Sequence, residues 1–544
     1  MCMNKIFSTT KSFILSKQSS IFSSALILAT MIIISRLFGF LRYRVLSSYF
    51  SKDQLDLFLA SFRIPDLIFE VLITGTLTTS FIPIFIKYQK NRHELDENIS
   101  SIINLISLFL VIFVFIAYLS LDWIIPFITP GYSQEKIKII IDYSKLLLIW
   151  QLPCLIAGNY LTGISQSNKR FFLPALAPIV YNLAIIIYTY FFVNSLNLNA
   201  PVIGANIGAL LFLLIQLPIL KRAGFSYKLM LKKTVGLIEF IRIIIPRTLT
   251  VIIAQIDATI DLSLTSLLGT GAYTVFYFAQ RLQLLPVSVV GIAFGQASLP
   301  YLSELFQEKK VEEFKKIVVD SILNLFFFAI PTASYLIFAR TPLVRLFFGG
   351  QKFDWDATVL TAVTLSWFAV SIPFHTIYYF LTRCFYAILD SRTPFYLSVV
   401  SIFINLTLSL LMILVFKQPV WSLAISFSTA MILNVILLFI IFHRRIGQLN
   451  LKFFGLESIK IFVSSLFSSL TGYYLLKLLD GLIFDTSRTI NVFFLLLTVS
   501  LVYLLLYLFL SWIFDVKEIY LISKLVTKAK EYQKKILEIY TSYE

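Results

Sequence analysis

The stretch LPCLIAGNYLTGISQSNKRFFLP, residues 152–174, returns later in the chain as IPFHTIYYFLTRCFYAILDSRTP, residues 372–394. Pro153 matches Pro373, Leu161 matches Leu381, Thr162 matches Thr382 and Pro174 matches Pro394, each pair 220 residues apart. Further out, Arg63 and Arg281 are 218 apart, Pro83 and Pro300 are 217 apart, and Gly131 and Gly349 are 218 apart. One match of this kind arises by chance. A series at a nearly constant offset indicates that the chain was built by internal duplication.

Of the 544 residues, 58% are hydrophobic and only 14% charged, and the mean hydropathy is +0.85. Soluble domains are near half apolar and a quarter charged. The composition therefore predicts an all-α polytopic membrane protein, with room for more than a dozen spans of ~20 residues. Cys2, Cys154 and Cys384 show no CxxC or Cys/His spacing, so neither a disulfide framework nor a zinc site is predicted. No small-residue cleavage site follows the first apolar run, so that run is expected to be retained.

Hydropathy predicts fourteen transmembrane helices, near residues 21–50, 55–86, 101–128, 140–163, 171–193, 201–220, 235–267, 272–303, 317–339, 358–389, 394–416, 419–442, 455–479 and 489–514. If the N-terminus is cytoplasmic, Lys plus Arg number 27 inside, 8 outside and 11 within spans, which accounts for all 46. This positive-inside asymmetry predicts cytoplasmic N- and C-termini. It also explains the net charge of +17 without nucleic acid.

The duplication sorts these segments. A cytoplasmic segment at 1–20 precedes a first lobe at 21–220, helices 1–6. A basic linker at 221–234 leads to a second lobe at 235–443, helices 7–12. Helices 13–14 at 455–514 and a basic tail at 515–544 complete the chain. Six helices per unit leave the two repeat lobes parallel, a transporter architecture whose substrate path runs between them.

Charges inside such segments are informative, because one at the bilayer centre costs about 2.5–3.5 kcal/mol on insertion scales. Helix 1 carries Arg36, Arg42 and Arg44. Helix 2 carries Asp56, Arg63, Asp66 and Glu70, spaced 7, 3 and 4, which puts them on one helical face with Pro65 as an expected kink. Helix 8 carries Arg281, the repeat partner of Arg63, and helix 7 carries Asp257 and Asp261. Arg42 and Arg44 are also explained by snorkelling to the interface, and Asp66 and Glu70 by pairing with Arg63. Several arginines in one cavity favour an anion, since guanidinium grips phosphate through two parallel hydrogen bonds.

The motifs SRLFGFLR, FRIPDLIFEVLITGTLTTSFIPIF, TPGY, NKRFFLPALAPIVYN, AQRLQLLPVSVVGIAFGQASLPYLS and FYAILDSRTP resemble the MurJ/MviN lipid II flippases of the MOP exporter superfamily. The resemblance runs through helices 1–12. It implies a transporter rather than an enzyme, in the bacterial cytoplasmic (inner) membrane. The implied activity carries an undecaprenyl-diphosphate-linked peptidoglycan precursor, lipid II, to the outer leaflet by alternating access. The implied partners are lipid II, the membrane and the cell-wall synthesis machinery.

By motif position, Arg36, Arg42 and Arg281 correspond to the family's cavity arginines, and helices 13–14 to the groove for the lipid tail. Arg63 and Arg44 are the candidate substitutes for a family arginine near position 69, where this chain has Phe69 and Glu70. Some members bind sodium, and the matching positions here are Asp261 and Asn405, with Ser409 where a second carboxylate stands in the family. No other cofactor is implied. The alternative readings are a polysaccharide-repeat lipid flippase, a multidrug or cation antiporter of the same superfamily, or an inactive scaffold homologue.

Overall fold

The computed structural model describes residues 21–74, 80–222, 225–447, 449–486 and 488–520. The side chains of 21–29, 74, 221–222, 245–247, 249–250 and 253–254 are likewise outside the description. The expected cytoplasmic segment at 1–20 and the tail from 521 onward lie outside the described residues.

Every regular element among the described residues is helical. The first of two compact units runs to Thr274 and includes Phe347–Asp354. It holds α1 (Ile21–Tyr49), α2 (Lys52–Ser61), α3 (Arg63–Phe69), α4 (Ile82–Tyr88), α5 (Arg92–Ile128), α6 (Gln134–Leu146), α7 (Leu152–Ser167), α8 (Phe172–Leu196), α9 (Asn199–Leu214) and α10 (Val235–Leu267). The second unit begins within α11 (Ala272–Pro286). It continues with α12 (Ala293–Gln307), α13 (Val311–Phe338), most of α14 (Arg340–Phe348), α15 (Trp355–Val370), α16 (Ile372–Ala387), α17 (Arg392–Leu410), α18 (Trp421–Ile446), α19 (Leu451–Leu482) and α20 (Thr489–Ile513).

Among the described residues ten helical segments are long and apolar enough to cross a membrane, eleven if α15 and α16, bent by 43°, count as one span. The other three expected spans are helical too, two of them continuous but charged and one broken. The described side chains of α1 include three arginines, α10 carries Glu239, Arg242, Asp257 and Asp261, and the second span is broken at Phe62 and by a π-helical turn at Glu70–Thr74. The packing boundary at Thr274 differs from the repeat boundary near 235, because α10 packs on α3 and α5 of the first unit.

The duplication is written in the backbone as well. A π-helical turn at Glu70–Thr74 recurs at Val287–Ile292. Left-handed residues Lys169 (φ 58°) and Asn197 (φ 46°) recur at Leu389 (φ 61°) and Lys417 (φ 49°), each 220 residues on. The turn bond from Arg170 N–H to Ser165 O, 3.0 Å, recurs from Asp390 N–H to Phe385 O, 2.9 Å.

Proline inside a helix leaves the carbonyl four residues earlier without its partner, and hydrocarbon offers no water to replace it. Neighbouring helices supply hydroxyls. Ser144 of α6 donates to Ser61 O at 2.9 Å, opposite Pro65, and Tyr507 of α20 donates to Phe327 O at 2.9 Å, opposite Pro331. The helix therefore breaks at Phe62, just before the proline predicted to kink it.

Candidate functional site

In the first unit Arg36 is exposed and lines a cavity of about 330 Å³ with Met31, Ile32, Ser35, Gln166, Pro174 and Pro178. Gln166 ends α7, while the two prolines belong to α8. The walls are largely apolar, so a permanent cation faces a low-polarity recess. Arg42 is half-buried, its guanidinium 4.5 Å from the centre of the Tyr43 ring. Tyr181 of α8 receives a 2.8 Å hydrogen bond from Gln151 Nε2 and lies in the electrostatic reach of both Arg42 and Asp66. A polar junction thus joins α1, α3 and α8.

The four polar residues predicted to share one face of helix 2 occupy different environments, because the helix breaks between α2 and α3. Asp56 is fully buried. Its Oδ2 accepts from Tyr132 Oη at 2.9 Å and Gly271 N at 2.6 Å. Its Oδ1 accepts from Thr274 N at 2.6 Å and Thr274 Oγ1 at 2.5 Å. All four partners can donate to the carboxylate, which has only acceptors when ionised. Arg63 is occupied by α10: its Nε donates to Thr259 Oγ1 at 3.0 Å, and its Nη2 to Gln255 O at 2.9 Å and to Gln255 Oε1. Asp66 is exposed, and Glu70 is half-buried at the start of the π-helical turn.

The Asp56 cluster belongs to a wider seam in which loops of both repeats meet. A Cβ at Gly131 would strike the Ser266 carbonyl, and one at Gly350 would strike the Ser47 backbone, so only glycine fits either position. Phe353 N–H donates to Ser47 O at 3.1 Å, and the Phe40 and Phe347 rings lie 4.7 Å apart. Neither the seam nor the Arg63 clamp is legible from spacing, since each joins residues more than 190 positions apart.

In the second unit Arg281 is exposed and held by Tyr277 one turn earlier, with the guanidinium 4.6 Å from the ring centre and Nη2 donating to Tyr277 Oη at 2.5 Å. Two residues beyond, Gln283 belongs to a buried trio that spacing does not reveal. Gln283 Nε2 lies 3.0 Å from His375 Nδ1 and 3.4 Å from Ser371 Oγ, and Tyr379 stacks on the imidazole at 5.3 Å. A lone histidine in an apolar run was the available signal. A second recess of about 270 Å³ between α13 and α20 is lined by Phe327, Pro331, Tyr335, Tyr503, Leu504 and Tyr507.

The sodium positions divide between the units. Asp261 of α10 is buried in the first, while Asn405 and Ser409 of α17 are buried in the second, the serine hydroxyl 3.5 Å from Asn405 Oδ1. The set holds one carboxylate, and among the described residues no group of three His, Cys, Asp or Glu is placed to hold a metal ion.

Residues 46–515 match the family model described as Lipid II flippase MurJ. The chain belongs to the MurJ family. A probable lipid II flippase MurJ of Buchnera aphidicola subsp. Schizaphis graminum is 26% identical over 504 residues, 90% of this chain and 97% of the relative. The lipid II flippase MurJ of Burkholderia cenocepacia is 24% identical over 387 residues, 69% of this chain and 75% of the relative. A solved lipid II flippase MurJ in an inward closed conformation superposes with a TM-score of 0.74 at 25% identity, over 90% of this chain and 98% of that one. An inward-facing multidrug resistance MATE transporter of the MOP superfamily shares the fold, with a TM-score of 0.64 at 14% identity over 78% of this chain and 98% of its own. The MurJ match is to a flippase family, and it makes this chain a multi-pass bacterial membrane protein.

Proposed function

We propose that this MurJ-family protein carries undecaprenyl-diphosphate-linked peptidoglycan precursor from the cytoplasmic to the outer leaflet by alternating access. The observation that carries the reading is Arg36, an exposed cation facing a cavity between membrane helices. In a recess of low polarity a guanidinium binds a diphosphate far more strongly than it does in water. Arg42, on the same helix, and Arg281, behind Tyr277, are the further headgroup contacts. Arg63 is left with a helix-joining role. The recess between α13 and α20 suits the polyprenyl tail, being walled by aromatic and aliphatic side chains.

The Asp56 seam ties the second repeat's loops at Gly271 and Gly350 to the first repeat, all within the first unit. A cation-drug antiporter calls for a carboxylate in its cavity, and the residues lining the Arg36 recess include none. The membrane potential, about 2.3 kcal/mol per charge per 100 mV, biases such a cycle because anionic cargo moves outward.

Complementation of a flippase-depleted bacterium tests the reading, with the leaflet distribution of lipid II measured alongside growth. Wild type restores growth. Arg36→Ala and Arg281→Ala are inserted but inactive, and Arg36→Lys is intermediate because it keeps charge and loses the fork. Full activity of both alanine variants refutes the cavity assignment.

A further inference from the structure

The linker between α9 and α10 is held in an extended form by the first turns of α5. Asp96 Oδ1 accepts from Ser226 N–H at 2.8 Å, and Ser100 Oγ accepts from Lys228 N–H at 2.9 Å. Asn104 Nδ2 donates to the carbonyls of Lys228 and Met230 at 3.0 and 2.7 Å, and its Oδ1 accepts from Tyr227 Oη at 2.5 Å. Asn98 Oδ1 then takes Gly236 N–H at 2.8 Å, at the entry to α10. The polar stripe of α5 thus absorbs the backbone groups of a segment with no helix or sheet partner of its own.

The strip is exposed on both sides, with apolar and basic side chains interleaved along it. Tyr227, Leu229 and Leu231 are 53%, 90% and 57% exposed. Lys228 and Lys233 beside them are exposed too, whereas Lys232 is engaged by Glu97 at 3.1 Å. The strip lies where the membrane-crossing helix Arg92–Ile128 begins and the helix ending at Leu220 has just closed. The end of a span is the level at which hydrocarbon gives way to headgroups. Leucines flanked by lysines there match the two halves of an anionic phospholipid interface.

We propose that residues 225–235 are an interfacial anchor that binds anionic phospholipid, with Tyr227, Leu229 and Leu231 in the headgroup–acyl boundary and Lys228 and Lys233 on lipid phosphates. The grip of α5 aims the segment, so the anchor is fixed to the rigid end of a span rather than trailing from a loop. It also sits at the foot of α10, the helix that Arg63 clamps.

The test places a fluorophore at Ser226→Cys in the full chain with Cys2, Cys154 and Cys384 replaced by Ala, in phosphatidylcholine vesicles. Brominated phosphatidylglycerol and brominated phosphatidylcholine are compared as quenchers at equal mole fraction, with a monodisperse size-exclusion profile required of each variant. The anionic lipid is expected to be enriched at the label by up to ~25-fold, at roughly fivefold per lysine. Lys228→Gln with Lys233→Gln should abolish the preference. So should 1 M salt, where the screening length is ~3 Å. Leu229→Ser should weaken quenching by both lipids. Equal quenching by the two lipids in the unsubstituted linker overturns the proposal, because it shows ordinary lipid exposure without headgroup recognition. Quenching by neither also overturns it, leaving the strip as a surface for a protein partner.

Discussion

Replacing Asp56 by Asn changes one atom in a fully buried group and should open the seam around it. Each carboxylate oxygen takes one hydroxyl and one backbone N–H: Tyr132 Oη with Gly271 N–H on one side, Thr274 Oγ1 with Thr274 N–H on the other. An amide keeps one of these oxygens. On the side where its NH₂ falls, the hydroxyl turns to accept, but the backbone N–H cannot. One buried donor is orphaned at about 1–3 kcal/mol. The bonds that remain lose their charge assistance, roughly half their strength. The lower end of this sum, ~3 kcal/mol, corresponds to a shift of at least a hundredfold in a local opening equilibrium. Hydrogen exchange on peptides spanning 266–276 reads this directly, and the Gly271 and Thr274 amides should exchange at least a hundredfold faster in Asp56→Asn. Unchanged exchange at those amides would show that the carboxylate does not hold the seam.

Three further outcomes follow from the same geometry. Tyr507→Phe removes the donor to Phe327 O, so it should lower the thermal midpoint at a cost of about 1–2 kcal/mol; in Pro331→Ala, where residue 331 regains its N–H, the same change should cost much less, and an undiminished cost refutes the proline explanation. Glu518, outside the spans, has its carboxyl pushed above the usual range by burial, with Glu457 and Asp320 adding to the shift. Its burial is penalised only when it is ionised, so docking of residues 514–520 should be tightest below about pH 4.5 and weaken as pH rises through the elevated value. Exchange protection corrected for intrinsic rate should therefore fall as the pH is raised above about 4.5 in wild type and not in Glu518→Gln; equal pH dependence in both excludes this carboxyl as the cause. Finally, if the potential drives transport, wild type and Asp261→Asn should both follow the potential in vesicles, whereas transport that tracks a sodium gradient at zero potential and vanishes in Asp261→Asn makes Asp261 a coupling-ion ligand.

The sequence alone determined the all-helical membrane class, the bounds of most spans and the duplication. These are local or periodic properties. A segment in hydrocarbon must satisfy its own backbone, which leaves an apolar run one regular option, the helix, and an offset near 220 survives in residues such as Pro153 and Pro373 whatever they later touch. Arg36 stood out as a candidate for the same reason, because a charge in an apolar run needs an explanation before any contact is known. Tertiary structure decided what each polar group does. Asp56, Arg63 and Asp66 share one face on paper, yet the break at Phe62 sends the first to Thr274, the second to Gln255 and the third to an exposed position. Helical spacing fixes only which side chains lie together along one element. Partners about 200 residues away are selected by which surfaces pack, and that choice belongs to the folded chain as a whole.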